Sequence, residues 1–136
     1  MPNPPSHAGQ IRAPISIGEL IDKITILEIK SERITDRAKL RNVTAELKVL
    51  DELKLHAGLD TPEMAPFARE LKSLNAALWD IEDAIRELEH NQDFGPRFVE
   101  LARSVYRTND RRARVKHEIN VAFGSDIVEE KSYKDY

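Results

Sequence analysis

The sequence predicts an all-α fold: a four-helix antiparallel bundle with an extended N-terminal arm and a short C-terminal tail. Apolar residues recur at three- and four-residue spacing, glycine accounts for only 5 of 136 residues, and no segment alternates in the way that strands require. The length suits one compact domain and is too short for two ordinary ones. We therefore expect an arm over residues 1–15, a bundle over 16–124 and a tail over 125–136.

Composition excludes several classes of protein. Lys and Arg number 21 against 24 Asp and Glu, so the net charge of −3 lacks the basic surplus typical of nucleic-acid binders. No apolar run approaches the roughly 20 residues that cross a bilayer, and the absence of cysteine excludes disulfides and thiolate sites. We expect no nucleic-acid partner, no membrane insertion and a cytoplasmic location.

The arm contains four prolines, which prevent a continuous helix and favour an extended chain. It also lacks the apolar stretch of a secretory signal. Its composition leaves two interpretations open: a loose tail, or an arm that wraps around a partner.

The first helix is predicted to begin after Ser16 and to run to about Ile34. Ser16 and Glu19 match the S-x-x-E capping box, in which each side chain accepts a hydrogen bond from an unpaired backbone N–H. Ile26 and Ile29 lie nearly opposite the main apolar face, so this helix is expected to be covered on both sides. Because a second copy could supply one cover, we predict a homodimer through the first or the third helix. The main apolar face consists of Ile17, Leu20, Ile21, Ile24 and Leu27.

The second helix is predicted to begin after Thr35 or Asp36, which are good N-cap residues, and to end at Gly58. A third helix follows Thr61 and carries the clearest pattern in the sequence, an unbroken heptad seam of apolar residues. The seam spans only about three heptads, so it is consistent with bundle packing as well as with an extended coiled coil. It consists of Phe67, Leu71, Leu74, Leu78, Ile81, Ile85 and Leu88.

The fourth helix is predicted from about Pro96 to about Phe123, with Gly124 at its end. Short connections place neighbouring helices antiparallel. The second half of the third helix is acidic and the first half of the fourth helix is basic. These two segments either neutralise each other or form a basic groove for an anionic ligand.

Polar residues interrupt the apolar faces of three helices. At about 100 degrees per residue, Asn109, Arg112 and Lys116 lie within the apolar stripe of the fourth helix. Glu28 falls between apolar residues of the first helix, and Glu82 lies at the edge of the heptad seam. Because an unpaired buried charge is unfavourable, we predict that these residues meet in one layer inside the bundle.

Three interpretations of this layer stay open. It is a structural ion-pair layer, a pocket in which Arg112 and Lys116 hold a carboxylate or phosphate, or a catalytic site with Glu28 or Glu82 as general base. The four histidines are scattered and no Glu-x-x-His motif occurs, so no metal and no cofactor is predicted.

The tail places two tyrosines among charged residues. We expect it to dock one or both of Tyr133 and Tyr136 on the bundle. The alternatives are a tyrosine motif for a partner, or a lid over the polar layer that uses Glu130, Lys131 and Tyr133.

Four blocks of the sequence carry a resemblance to a known family: GELIDKITILEIKSERI (18–34), NAALWDIEDAIR (75–86), VYRTNDRRARVKHEIN (105–120) and EEKSY (129–133). Over residues 15–133 the chain resembles small bacterial proteins known only as a domain of unknown function. The resemblance implies occurrence near, or joined to, surface-polysaccharide glycosyltransferases and helical-repeat proteins, and hence a cytoplasmic role in making lipopolysaccharide or capsule. It implies no activity and no catalytic residue.

The leading prediction is a non-enzymatic helical binding or scaffold protein, with a protein partner, that is associated with the assembly of cell-surface polysaccharide or lipopolysaccharide. The alternative is a small helical enzyme or ligand-binding protein that acts on an anionic small molecule, a carboxylate or phosphate. Its candidate site residues are Glu28, Glu82, Asn109, Arg112 and Lys116. The two predictions differ in whether the polar layer is structural or functional.

Overall fold

The structure, a computed structural model, describes residues 9–136 and confirms the all-α fold. Within that range it contains four α-helices and no strand, and none of these helices has an apolar stretch long enough to cross a membrane. Residues 1–8 of the predicted arm lie outside the described range, and the predicted boundaries of arm, bundle and tail stay predictions. The helices are α1 (Ile17–Arg33), α2 (Arg37–His56), α3 (Ala65–His90) and α4 (Pro96–Ala122).

The helices begin and end close to the predicted capping and terminating residues. The Ser16 hydroxyl accepts a hydrogen bond from the Glu19 N–H at 3.0 Å, and Asp36 caps α2 in the same way. Gly58 and Gly124 adopt positive φ angles of 71° and 65° just beyond α2 and α4, the conformation that favours glycine at a helix end. The capping box is only half formed, because the Glu19 carboxylate binds elsewhere.

Helix α1 is the central element of the bundle. It contacts each of the other three helices, whereas within the described chain α2 approaches α1 alone. Leu20, Ile21 and Ile24 of α1 lie in the main apolar core, which also includes Leu59, Met64, Leu71, Val115 and Ile119. The first helix is therefore covered on both sides, as predicted.

A second copy is not needed for that cover. Ile29 is only 2% exposed within one chain, and half-buried Ile26 lines a shallow groove with Trp79 of α3. The homodimer stays a prediction. The residues of α1 that suggested it, Ile26 and Ile29, pack against α3 of the same chain.

Helices α1 and α4 run antiparallel in very close contact at Gly18. A Cβ atom at this position would lie 2.5 Å from the Lys116 carbonyl oxygen, so the approach requires glycine. The Gly18 N–H donates to Asn120 Oδ1 at 2.7 Å, and the Ile17 N–H donates to Ser125 Oγ at 3.1 Å. The end of α4 and the start of the tail therefore satisfy the first turn of α1.

The charged segments of α3 and α4 do not pair with each other. Among the described residues no salt bridge joins α3 to α4; Arg86 binds Glu82 and Arg103 binds Glu100, each within one helix. The heptad seam still joins the two helices, with Leu71 fully buried. Apolar contact, and not charge neutralisation, holds this hairpin together.

Candidate functional site

Three of the five predicted site residues, Asn109, Arg112 and Lys116, lie together where α4 meets α1. The Arg112 guanidinium forms two hydrogen bonds with the Asp22 carboxylate of α1, from Nε to Oδ1 at 3.0 Å and from Nη2 to Oδ2 at 2.5 Å. Arg112 Nη1 also donates to Asn109 Oδ1 at 3.4 Å. Asp22 is fully buried, so this fork-shaped pair holds a charge that water does not reach.

Helix α3 adds neutral polar groups to the same carboxylate. The Asn75 side-chain amide donates to Asp22 Oδ1 at 2.8 Å and to Thr25 Oγ1 at 3.0 Å. The Thr25 hydroxyl in turn donates to the Asp22 carbonyl oxygen at 2.8 Å. The side chains of three helices therefore converge on one buried aspartate.

Lys116 extends the network towards the surface. Its Nζ lies 2.6 Å from Glu19 Oε2, 3.8 Å from Asp22 Oδ2 and 3.6 Å from Glu129 Oε1 of the tail. Glu129 also accepts a hydrogen bond from the Ser16 hydroxyl at 3.0 Å. We call Glu19, Asp22, Thr25, Asn75, Arg112 and Lys116 the polar cluster.

The predicted acids Glu28 and Glu82 do not reach the polar cluster. Partial burial of Glu28 raises its pKa, an effect that the charge of Lys72 opposes. Glu82 is exposed on α3 and lies 3.3 Å from Arg86. The prediction that Glu28 and Glu82 meet the polar residues of α4 in one layer is therefore wrong. Their role in ligand binding stays a prediction.

The register between α1 and α4 explains why Asp22 takes this place. Gly18 contacts Lys116, and since the helices are antiparallel, one turn forward from Gly18 to Asp22 matches one turn back from Lys116 to Arg112. Glu28 lies well beyond that level of α1. A signal for the second buried face is present in the sequence, because Gly18, Asp22, Thr25 and Ile29 are spaced by four, three and four residues and all are buried.

The polar cluster is electrostatically closed. The hydrogen bond that Arg112 donates to Asp22 raises the pKa of Arg112, so the guanidinium stays charged. In the part of the chain that the structure describes, no buried side-chain nitrogen or oxygen lacks a hydrogen-bond partner. The same residues contain no group of three acids or histidines suited to a metal ion. The cluster can fix the register of three helices, because its buried charges are paired with one another.

A cleft between α4 and the tail lies beside the polar cluster. The tail runs back along α4: Ser125 and Glu129 hold it near the start of α1, and the Tyr136 hydroxyl donates to Asp110 Oδ2 at 2.7 Å. The ring of Tyr136 also packs edge-on against Tyr106, with centroids 4.9 Å apart. The predicted docking of a tail tyrosine on the bundle is thus confirmed for Tyr136.

We call the space between these two attachments the tail cleft. It comprises two adjoining cavities of about 520 and 590 Å³ that share part of their lining. The cleft is lined by all three residues of the predicted lid, which are Glu130, Lys131 and Tyr133. Asn109 and Lys116 line it as well, so the cleft reaches the edge of the polar cluster.

Comparison with known proteins gives one match. A family described as a family of unknown function, DUF6165, matches residues 11–136, nearly the whole chain. No curated protein and no solved structure matches the chain.

Proposed function

We propose that this chain, which belongs to the DUF6165 family of unknown function, is a non-enzymatic helical binding or scaffold protein. The resemblance noted in the sequence adds the finer part of the proposal, a bacterial and cytoplasmic role in the assembly of cell-surface polysaccharide or lipopolysaccharide. The observation that supports the non-enzymatic part is the closed polar cluster, whose charges are taken up by one another.

Catalysis by the cluster would require a group that can reach a substrate. A general base must lie within hydrogen-bond distance of the proton that it removes, but Asp22 is fully buried and accepts hydrogen bonds from Arg112 and Asn75. Of the two acids nominated from sequence, Glu82 is held by Arg86 on the surface and Glu28 lies away from the cluster. This arrangement favours a structural role.

A binding protein also needs a surface for its partner, and two apolar surfaces are exposed. Val49 and Leu53, one turn apart on α2, are each more than 40% exposed, as are Phe94 and Val99 near the tip of the α3–α4 hairpin. We propose that the homodimer or a protein partner covers one of them. A mass in solution that stays at 15.5 kDa at high concentration would rule out the homodimer and leave only a different partner.

The alternative function, a small enzyme or ligand-binding protein for a carboxylate or phosphate, is favoured by one observation. Lys116 belongs to the polar cluster, and Asn109 accepts a hydrogen bond from Arg112 of that cluster. Both residues also line the tail cleft. A ligand in the cleft would therefore reach the edge of the cluster without entering the bundle.

Replacement of the buried ion pair separates the two functions. In the variant Asp22→Leu/Arg112→Met, apolar side chains take the place of the pair, and such replacements are often neutral or stabilising. We expect this variant to fold and to restore normal surface polysaccharide in a bacterial strain that lacks the gene. Wild-type protein is the positive control and the empty vector is the negative control.

A folded variant that fails to restore the polysaccharide would instead support the alternative function. If deletion of the gene leaves surface polysaccharide unchanged in amount and length, the proposed process is wrong. That result would not affect the structural role of the cluster, which the unfolding free energy of the same variant measures separately.

A further inference from the structure

We propose that a groove at the tip of the α3–α4 hairpin, beyond the end of α1, binds a basic amphipathic helix of another protein. We call it the hairpin groove, and it is formed by residues 78–90 of α3 and 94–105 of the connection and α4. The inference rests on the proposed function, a scaffold protein with a protein partner, and names the docking site and the chemistry of that partner.

The hairpin groove continues the surface on which α1 lies. Helix α1 packs against both α3 and α4 and ends at Arg33, whose Nη1 lies 2.6 Å from Asp80 Oδ1. Since Gly18 contacts Lys116, the antiparallel register places Arg33 at about the level of Leu101. The hairpin extends past that level by the first turn of α4 and the connection to α3, roughly 10 Å.

Heptad spacing identifies the side chains that face this groove, because residues seven positions apart on a helix lie within about 20° of each other. Asn75 of α3 contacts the buried aspartate of α1, and Glu82 and Glu89 follow it at intervals of seven. Lys116 of α4 contacts α1 as well, and Ala102 lies fourteen positions before it. Glu82, Glu89 and Ala102 therefore face the side on which α1 lies, at or beyond its end.

Apolar side chains of the hairpin lack the cover that α1 provides elsewhere. No residue from 76 to 100 is buried, whereas Leu71 and Leu101, on either side of that segment, are buried. Four members of the heptad seam lie within the segment. At its tip Phe94 is 54% exposed and packs edge-on against Phe98. A further helix on this face would therefore remove apolar surface from water.

An apolar depression of about 200 Å³ opens between α1 and α3 where the groove meets the end of α1. It is lined by Ile26 and Ile29 of α1 and by Leu78 and Trp79 of α3, together with polar residues that include Glu82. An amphipathic helix enters a groove with apolar anchors at positions such as i, i+4 and i+7, which span about 10 Å. This span matches the length of the groove, and the depression can accept one anchor.

The charge of the hairpin favours a basic partner. Residues 80–105 contain seven acids and three bases. The acids are Asp80, Glu82, Asp83, Glu87, Glu89, Asp93 and Glu100, and the bases are Arg86, Arg97 and Arg103. Even when Arg33 of α1 is counted beside Asp80, the acids stay in excess. A second copy would bring the same excess to this groove, and like charges across an interface are unfavourable. A helix with Lys or Arg on its polar face therefore fits better than a second copy.

The same hairpin offers a matched control for its charge. Glu87 and Glu100 are exposed, and they lie two positions before the groove-facing Glu89 and Ala102, so they point to nearly the opposite side of their helices. General attraction of a basic peptide to the acidic tip would involve all of these acids equally. Recognition by the groove requires Glu82 and Glu89 more than Glu87 and Glu100.

Peptide titration of the full chain, followed by ¹⁵N–¹H correlation spectra, tests the proposal, since a 15.5 kDa protein suits that measurement. The probe is an amphipathic peptide of roughly 14 residues, with Leu on one face and Lys and Ala elsewhere. One control peptide has Glu in place of each Lys, and a second has the same composition in an order that gives no apolar face. We expect the probe to shift the amides of residues 78–105 along one saturating curve. Both control peptides should bind at least about tenfold more weakly.

Variants separate the groove from the charge around it. Glu82→Gln/Glu89→Gln should weaken binding of the probe about fivefold or more, because it removes carboxylates beside the bound helix. The control Glu87→Gln/Glu100→Gln should change the affinity less than about twofold. Ala102→Trp, which fills the groove, should also weaken binding about fivefold or more. Circular dichroism and thermal unfolding establish that each variant is folded.

The proposal is overturned if the probe does not bind, if a control peptide binds as tightly, or if the two double variants weaken binding equally. It is also overturned if sedimentation shows a wild-type dimer that Ala102→Trp abolishes, since a second copy would then occupy the groove. None of these results decides the proposed function, which the restoration of surface polysaccharide tests separately.

Discussion

The polar cluster and the tail cleft are built from the same kinds of residue, lie next to each other on α4, and differ in what their charges meet. In the cluster, the buried Asp22 is surrounded by Arg112 and Asn75 and is closed to water. In the cleft, Arg114 and Lys134 are exposed and form no salt bridge with any described residue. The same kinds of residue therefore hold the fold in one place and stay in contact with solvent in the other.

The difference arises from which elements meet along α4. Facing α1, the close contact at Gly18 places Arg112 and Lys116 beside the carboxylates of Asp22 and Glu19, with which they pair. Facing the tail, residues 130–135 carry no hydrogen bond that would draw them onto the helix. Substitutions on the two sides should therefore differ in size: those in the cluster should lower the free energy of unfolding, and those in the cleft should leave it nearly unchanged.

The largest effect is expected from Arg112→Met. The substitution removes the guanidinium that forms two hydrogen bonds with the buried Asp22 carboxylate and leaves Lys116, at 3.8 Å, as the nearby cation. Breaking a buried pair in this way costs about 3 to 5 kcal/mol. The free energy of unfolding, from urea titration, measures the loss. Since the Arg112 side chain is 26% exposed, we expect a value near the lower end. A loss below about 1 kcal/mol would show that water or another group replaces the guanidinium, and the cluster would not be closed.

An intermediate effect is expected from Gly18→Ala. The new Cβ atom would lie 2.5 Å from the Lys116 carbonyl oxygen, so α1 must move away from α4, at a cost of about 1 to 3 kcal/mol. Thermal unfolding followed by circular dichroism measures it. Asn120→Ala, which removes the hydrogen bond to Gly18 but adds no atom, separates the lost bond from the clash. A fully stable Gly18→Ala variant would contradict the close approach that sets the register.

The smallest effect on stability is expected from Arg114→Gln in the cleft. Arg114 is exposed and has no salt-bridge partner among the described residues, so the unfolding free energy should change by less than about 0.5 kcal/mol. Comparison with Arg112→Met, two positions earlier on the same helix, is the direct contrast between the two regions. A loss as large as that of Arg112→Met would mean that Arg114 also carries the fold.

Much of the fold could be predicted because local rules decide it. The N-cap at Ser16, the heptad seam of α3 and the glycines that end α2 and α4 all depend on a few neighbouring residues. The polar residues of α4 were also predicted, since Arg112 and Lys116 interrupt an otherwise apolar stripe. The residues with which Arg112 and Lys116 pair depend on the register between helices, and no local sequence pattern specifies that register.

Asp22 and Asn75 illustrate that limit. A helix that is surrounded by three others has more than one buried face, so a single apolar stripe on α1 predicts burial of Glu28 and gives no indication of the burial of Asp22. Asn75 directly follows Leu74 and is not one of the seam residues, yet it is buried against Asp22. The contribution of Glu129 depends on the path of the tail, which has no periodic pattern at all.

The central claim, that the polar cluster is a closed structural unit, is tested most directly by a double-mutant cycle on Asp22 and Arg112. The unfolding free energies of Asp22→Leu, Arg112→Met and the double variant are compared with that of wild type. Each single variant should lose stability because one side of the pair is left without its partner, whereas the double variant should return to within about 1 kcal/mol of wild type. Losses that simply add in the double variant would show that the two side chains do not act as a pair.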